Sequence, residues 1–538
     1  MTSSHQTLYE LLKNSADRDP SHTAVVHPYP HVSWTYAALL NTVHALANTI
    51  SHHLGQLESD KAVHHVALVA PNGFPCLASF LAITSARAVA MPLNPALALN
   101  EFLFFLEDVS ASALIFLQQE DGEEEDSHAS CRAATQLGVP IWKLSPSSME
   151  LQVPSSSAAE PPAAGETSLS LPPQPQDPAM VLHTSGTTGR PKAVPLTHLN
   201  LCTSAANIAG TYHLAPQDTA LVVMPLFHVH GLIGVALSTL STGGTLVIPP
   251  RFSASQFWET AAKHHVTWYS AVPTIHQVLL QCAQQKQQEG SEHHLRFIRS
   301  CSSSLAPSIL KKLEQTFEAP VLEAYGMTEA SHQMASNPLP EEGEHRAGTV
   351  GRPTRGVEVA ILDEEGKVHG PDDAGVVGEV VIRGKNVTLG YVNNPSANAS
   401  SFTKEGWFRT GDQGLFQEGG YLQLTGRLKE LINRGGEKIS PVELDSVLLS
   451  HPSISVAVAF GVPDPKYGEE VNAAVVPKKS DGEQEELTEE EVVRHCKTQL
   501  AEFKVPKRVF VVESLPQSAT GKLQRKAIAS HFLSLIQH

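Results

Sequence analysis

A run of small hydroxyl residues and glycines, "VLHTSGTTGRPKAVPLTH" from Val181 to His198, lies between two apolar stretches. Thr184, Ser185, Thr187 and Thr188 surround Gly186 and Gly189, and Lys192 follows. Glycine lets backbone approach a ligand closely, free N–H groups and hydroxyls can surround phosphate oxygens, and a lysine adds a point charge. The chemistry these residues suit is anion binding. The spacing departs from the Walker loop, where lysine directly follows a glycine and precedes Ser or Thr. Here Lys192 lies three residues after Gly189, and Ala193 comes next. Taken alone, the run also fits a polar turn. His228 and His230, two apart, could share a strand face as a metal pair, but no third ligand is evident. The six cysteines are scattered without a CxxC pair, which offers no zinc site and fits a reducing compartment.

The elements that must hold this loop are legible around it. "AMVLH" before it reads as a strand, "AVP" after it as a second strand, and "THLN" as the cap of a helix. Short apolar runs of the same kind recur: "HVALVA" (His65–Ala70), "SALIFL" (Ser112–Leu117), "TALVVM" (Thr219–Met224), "GTLVIP" (Gly244–Pro249) and "TWYSAV" (Thr267–Val272). Followed by helical patterns such as Ser253–His264, they predict βα units and largely buried sheets. The first twenty residues predict a capped amphipathic helix with no apolar signal core. With 538 residues the chain exceeds one core, so two or more domains are expected. Residues 153–178, rich in Pro, Ser and Ala, read as a disordered-like surface connection. After "GRLKE" the pattern changes to a compact αβ segment of about a hundred residues, enough for a small domain. A formal charge of -17 argues against nucleic-acid or anionic-membrane partners. No apolar run is long enough to span a membrane and the chain ends in "SLIQH" rather than a Ser-Lys-Leu address, so a cytoplasmic location is expected.

Four further motifs follow the loop in order: "EAYGMTEASH" (Glu323–His332), "GWFRTGDQG" (Gly406–Gly414), "GRLKELINRGGEKISPVELD" (Gly426–Asp445) and "PQSATGKLQRK" (Pro516–Lys526). Together the five resemble the ordered signature of the adenylate-forming superfamily, which holds acyl-CoA synthetases, adenylation domains and luciferases. The resemblance covers nearly the whole chain. It implies an α/β fold: a large N-terminal domain (1–426) of sheets flanked by helices with a β-barrel-like part, a hinge (427–429), and a small mobile α+β C-terminal domain (430–538). It also implies that a carboxylate is joined to AMP and the acyl group then passes to a thiol, with ATP, CoA and Mg²⁺ required. On this resemblance Thr184, Ser185, Gly186, Thr187, Thr188, Gly189 and Lys192 clamp the β- and γ-phosphates. Thr328 contacts the α-phosphate, and Glu329 holds Mg²⁺, a hard ion that prefers carboxylate and phosphate oxygen. Asp412 takes the ribose hydroxyls, supported by Arg427. Ser302 and Ser303 line one face of the adenine, with Ala324, Tyr325 and Gly326 near the other. Lys522 matches the catalytic lysine, Lys429 the hinge, and Gly435, Gly436, Glu437 and Lys438 the approach of CoA. Ala193 departs from the family's usual glycine, and removes no side-chain donor.

Finer stretches narrow the acid. "MPLFHVHGL", "RFSASQFW", "TWYSAVPTIHQ", "LRFIRSCSSSLAP", "EASHQMASNPLP" and "FGVPDPKYGEEVNAAVVP" resemble the oxalate–CoA ligase branch of plants and fungi. A fatty or aromatic acid needs an apolar pocket, whereas the acyl region here offers His228, His230, Ser300 and His332. Oxalate keeps a second carboxylate after the first is activated, and burying that charge unpaired is costly, so donors are needed. His228 is expected to gate the pocket, and His230, Ser300 and His332 to hold the acid. The alternatives are a CoA ligase for another short, medium-chain or aryl acid, an adenylation domain serving a carrier protein, and a nucleotide-binding protein without catalysis. No carrier-like segment follows Lys526, and Lys522, Glu329 and Asp412 are intact, so the partners expected are oxalate, ATP and CoA alone.

Overall fold

Thr7 accepts the backbone N–H of Glu10 while the Glu10 carboxylate reaches back to the cap, so the first helix, Leu8–Arg18, is held by a capping box and buries Leu8, Leu11 and Leu12. The computed structural model describes residues 5–57, 63–118, 127–153, 169, 171–184, 190–286, 294–480, 483–484, 486–518 and 521–536. Most of the connection expected at 153–178 therefore lies outside the described residues. Its last part is tied down, since Asp177 accepts from Arg87 Nε at 2.8 Å and from the Gln174 N–H at 2.9 Å.

Two sheets form the large part of the chain. One has seven strands in the order Leu151–Gln152, Ile141–Leu144, Ala113–Leu117, His65–Val69, Val89–Leu93, Pro178–Thr184, Lys192–Thr197. The other has nine: Arg352–Pro353, His332–Ser336, Val321–Met327, Phe297–Ser300, Trp268–Ala271, Thr219–Leu221, Thr245–Val247, Thr23–Pro28, His31–Thr35. Both are parallel inside and finish in antiparallel pairs at the edges. The apolar runs of the sequence become these inner strands because helices cover both faces. The helix Phe74–Ser85 is buried on every side except at Pro75, as a helix between packed layers must be. The largest core joins both sheets, with Val66, Leu68 and Ala113 of one meeting Ala220, Trp268 and Phe297 of the other in one cluster. The run at 219–224 pairs only over Thr219–Leu221, because Met224–His228 leaves the sheet and leads into a π-helical turn, Leu232–Leu237. Such turns are often found at functional sites.

The part expected to be barrel-like is an antiparallel sheet of five strands: Val368–His369, Val357–Leu362, Gly378–Gly384, Phe408–Gln417 and Tyr421–Arg427. A separate sheet begins at Ile432–Arg434 and pairs Glu437–Ile439, Gly468–Pro477 and Ile454–Asp464, with Arg508–Val511 alongside. It has its own core, in which Leu444 and Leu448 pack with Ala459, Val471 and Val492. No helix among the described residues is long and apolar enough to cross a membrane.

Candidate active site

The parallel strands Trp268–Ala271, Phe297–Ser300 and Val321–Met327 all point their carboxyl ends at one crevice, the usual place for a ligand in such sheets. All five motifs send residues there.

The first loop leaves the sheet at Thr184, which pairs with Lys192 across the two strands. Ser185, Gly186, Thr187, Thr188 and Gly189 lie outside the described residues. The helix after the second strand is capped by Thr197, with Asn200 completing the box. Lys192 Nζ stands 4.5 Å from the centre of the Tyr391 ring, and the Tyr391 hydroxyl donates to Glu329 Oε1 at 2.9 Å. One tyrosine thus holds the loop lysine and the acid of "MTE" together. Glu329 is buried, and burial raises its carboxyl above the ordinary range, while Tyr391, Arg427 and Lys192 pull it back. A buried carboxylate beside a phosphate-binding lysine suits a divalent cation shared with phosphate oxygens. Among the described residues no three His, Cys, Asp or Glu side chains converge as a metal cage. A magnesium ion there would consequently be held by Glu329 together with the oxygens of a bound phosphate.

Asp412 and Arg427 pair across adjacent strands, with Arg427 Nε at 3.1 Å from Asp412 Oδ1. Tyr325 donates its hydroxyl to the other oxygen, Asp412 Oδ2, at 2.5 Å. Burial raises the Asp412 carboxyl, opposed chiefly by Arg427. Ala324 is buried on the same strand, opposite Ser336. Thr328 opens a short 3₁₀ turn, and its carbonyl accepts from Ser331. Glu323, first residue of the "EAYGMTE" strand, is buried and accepts the Gly348 N–H at 2.9 Å.

Burial pushes the Glu323 carboxyl up to about 8 from an ordinary 4.5. An acid raised in the folded state releases its proton on unfolding, so its stabilisation is complete below the lower value and lost as pH rises through the upper one. Between about pH 6.5 and pH 8 the wild type should lose roughly 2 kcal/mol through this group. Glu323→Gln is expected to flatten that loss in melting curves taken across the interval. An unchanged slope would remove Glu323 as its source.

The acid end of the crevice contains a dense polar cluster. His230 is fully buried, with Nδ1 3.0 Å from Ser302 Oγ and Nε2 2.6 Å from Ser270 Oγ. His332 is buried 5.1 Å away, ring centre to ring centre. Its backbone is in the left-handed region (φ +101°), which is unusual for a non-glycine residue and typical of strained sites. The ring is wedged between two glycines, because a Cβ on Gly234 would lie 2.3 Å from His332 Nε2 and a Cβ on Gly326 2.4 Å from His332 Nδ1. Gly326 is thus required by the histidine beside it. His228 Nδ1 accepts the His230 backbone N–H at 3.2 Å. Burial lowers all three histidines, His228 to about 3, so they are neutral near pH 7.

Two serines differ from their expected places. Ser300 lies on the other strand face from Arg299, the face of Ile298 and Tyr269, and its hydroxyl has no partner. It is therefore not brought together with His230 and His332. Ser302, expected against adenine, turns its hydroxyl to His230, while Ser303 is exposed and bonds the Ser302 carbonyl.

Sequence reasoning missed Arg299, the centre of this cluster. It is 0 % exposed and reaches Tyr212 OH (2.9 Å), Ser270 Oγ (3.1 Å), His332 Nε2 (3.2 Å) and Gln333 Oε1 (2.8 Å). The available signal was an arginine within the strand "FIRS", two residues after Phe297 and so on the same strand face.

Lys522 arrives from the small domain. Its loop is closed by Ser518, whose N–H bonds the Lys522 carbonyl, and docks on the large part through Thr274 Oγ1 to the Gly521 carbonyl at 2.9 Å. The lysine is close enough to depress His228, His230 and His332, and is itself lowered by burial. Lys429 sits in the turn after Arg427, where the Glu430 N–H bonds the Arg427 carbonyl at 2.8 Å. Arg525, just beyond Lys522, reaches Glu430 at 3.4 Å and Asp445 at 2.7 Å. Gly435 and Gly436 form an exposed hairpin turn between Arg434 and Glu437, and Lys438 pairs with Glu364 at 2.9 Å. That hairpin is not brought together with the cluster around Lys522.

These features gather charged and polar residues of the large part and of the small domain at one crevice. Residues 12–392 match the AMP-binding enzyme family, and residues 443–522 match the AMP-binding enzyme C-terminal domain. The chain belongs to the AMP-binding enzymes. It is 48% identical over 533 residues to an oxalate–CoA ligase of Arabidopsis thaliana, covering 98% of this chain and 99% of that one. It is 48% identical over 482 residues to an oxalate–CoA ligase of Saccharomyces cerevisiae, covering 87% and 86%. Among solved structures, ATP-bound MatB from Rhodopseudomonas palustris superposes with a TM-score of 0.85 at 28% identity, covering 98% of this chain and 99% of that one.

Proposed function

We propose that the chain is an ATP-dependent oxalate–CoA ligase, converting oxalate, ATP and CoA to oxalyl-CoA, AMP and diphosphate through an oxalyl-adenylate. The observation that carries the acid is the polar cluster of Arg299, His230, His332 and Ser302, in which the buried guanidinium has no carboxylate against it among the described residues. The likeness to oxalate–CoA ligases at 48% identity supports the same reading.

In the first step a carboxylate oxygen of the acid attacks the α-phosphorus and diphosphate leaves. Lys522 stabilises charge on both the acid and the phosphate, and Thr328 contacts the α-phosphate. Asp412, held by Tyr325 and Arg427, takes the ribose. Lys192 and the loop from Thr184 hold the outer phosphates, and Glu329 would hold Mg²⁺, which would supply positive charge to them. In the second step the CoA sulfur attacks the acyl carbon and AMP leaves. For this the small domain turns at Lys429, withdrawing Lys522 and bringing Gly435, Gly436, Glu437 and Lys438 toward the site. The present arrangement, with Lys522 docked and the hairpin exposed, corresponds to the first step.

Steady-state kinetics on oxalate, malonate, acetate, hexanoate and 4-coumarate test the substrate. Oxalate should have the highest kcat/KM. Acetate should fail because it would leave buried donors unpaired, a defect that can reach several powers of ten. His230→Ala or His332→Ala should lower kcat/KM for oxalate at least about tenfold, the value of one lost contact to charge. A preference for hexanoate or 4-coumarate would overturn the acid and leave the adenylate chemistry standing.

A further inference from the structure

The hydrogen bonds around Arg299 have a direction that its chemistry imposes. A guanidinium carries five N–H donors and cannot accept. Every bond that leaves Arg299 therefore starts with a proton on its side.

One branch runs through His332. Arg299 Nη1 lies 3.2 Å from His332 Nε2, so that ring nitrogen must accept. Burial and the nearby charges keep the ring neutral, and its one proton is then on Nδ1. Nδ1 is buried and, among the described residues, meets no acceptor beyond the residue's own carbonyl, so its proton is open to a ligand. The other branch runs through Ser270. Its hydroxyl accepts from Arg299 Nη1 at 3.1 Å and lies 2.6 Å from His230 Nε2. A hydroxyl oxygen has two lone pairs, so Ser270 accepts from Arg299 whichever way its bond to His230 Nε2 runs, and the arginine does not fix the proton of that ring. His230 Nδ1 lies 3.0 Å from Ser302 Oγ.

We infer that Arg299 is a positioning residue that fixes His332 as its Nδ1–H tautomer, so that the ring and the guanidinium present donors to the acid site and select a ligand bearing a second carboxylate. The choice of oxalate as that ligand rests on the function proposed above; the tautomer does not. Arg299 is fully buried among Tyr212, Ser270, His332 and Gln333, all neutral, whereas Arg296, three residues earlier and just before the strand, has Asp218 at 2.6 Å. A buried charge without a counter-charge is costly. A dianionic acid bound beside the guanidinium and His332 supplies one, and a monocarboxylate gives up its charge to the adenylate bond. Arg299, His228 and Lys522 are the charged or ionisable groups that act on both His230 and His332, and Tyr212 and Cys301 act on Arg299.

The test has two parts on the full chain. Protein labelled with ¹⁵N in the histidine rings, with His332 assigned by a His332→Gln variant, should show Nδ1 protonated and Nε2 bare at His332 near pH 7. Nε2–H at that position overturns the inference, and this measurement needs no change at Arg299. In the second part Arg299→Met should release the His332 tautomer and lower kcat/KM for oxalate at least about tenfold, mainly through KM, the size expected when a charge-assisted contact is lost. Arg299→Lys, which is also a pure donor, should keep Nδ1–H at His332 and recover part of the loss. A methionine variant within twofold of wild type on oxalate overturns the role in selection. Nδ1–H at His332 in an enzyme that prefers another dicarboxylate supports the positioning role and overturns oxalate as the acid.

Discussion

Lys522→Ala should abolish adenylation while sparing thioester formation. Acid-dependent pyrophosphate exchange is expected to fall by about 10²–10³, the usual loss when a preorganised charge is removed from a developing anion. Transfer to CoA from preformed acyl-adenylate should stay near wild type, because the lysine is withdrawn before the thiol arrives. The expectation depends on how the loop is held. Ser518 closes it, Thr274 docks it, and Arg525 anchors the helix behind it to Glu430 and Asp445. Alanine changes none of these contacts, so the loop should dock as before without its charge. Equal loss in both half-reactions would overturn this division of labour.

Gly436→Trp should give the opposite pattern. Adenylate forms and accumulates, and the complete reaction drops at least about 100-fold, as small displacements of a reacting group can cause. In the present arrangement a Cβ at Gly436 meets nothing within 4 Å, so the bulk has room and adenylation is undisturbed. The position does have a cost of its own, since Gly436 is at φ +96° and Gly435 at +61°, a turn that any side chain strains. Gly436→Ala separates the two effects, because it carries the strain without the bulk. If alanine loses as much thioester activity as tryptophan, the turn's shape matters and obstruction does not. If tryptophan makes the thioester at the normal rate, CoA does not pass this hairpin.

Much of this molecule was legible because its signals are local. The helix Leu8–Arg18 announces itself by Thr7 and Glu10, three residues apart, and the strand–loop–strand at Val181–His198 by apolar runs on either side of glycine and threonine. The ordered motifs placed Lys192, Glu329, Asp412, Arg427 and Lys522 in one sentence of sequence, and the fold brings these five to one crevice. The second domain was visible at Arg427 because a sheet ends there and another begins at Ile432.

The acid site was legible only in part. Histidines at 228, 230 and 332 stood out by type, yet Ser300 and Ser302 could not be told apart on sequence, because which of two neighbouring residues faces a crevice is set by strand register and by where the strand ends. The strand runs Phe297–Ser300, Ser302 follows in the left-handed region (φ +76°), and its hydroxyl swings to His230. Arg299 was harder still. Its partners lie 87, 29, 33 and 34 residues away in the chain, at Tyr212, Ser270, His332 and Gln333. No local pattern encodes such a meeting. By itself the sequence determined the chemistry on offer, since residue type and short spacing decide what a loop can bind and which strands and helices form. Only the tertiary structure decided where the protons point, because hydrogen-bond direction depends on which donors and acceptors packing brings within 3 Å or so of one another.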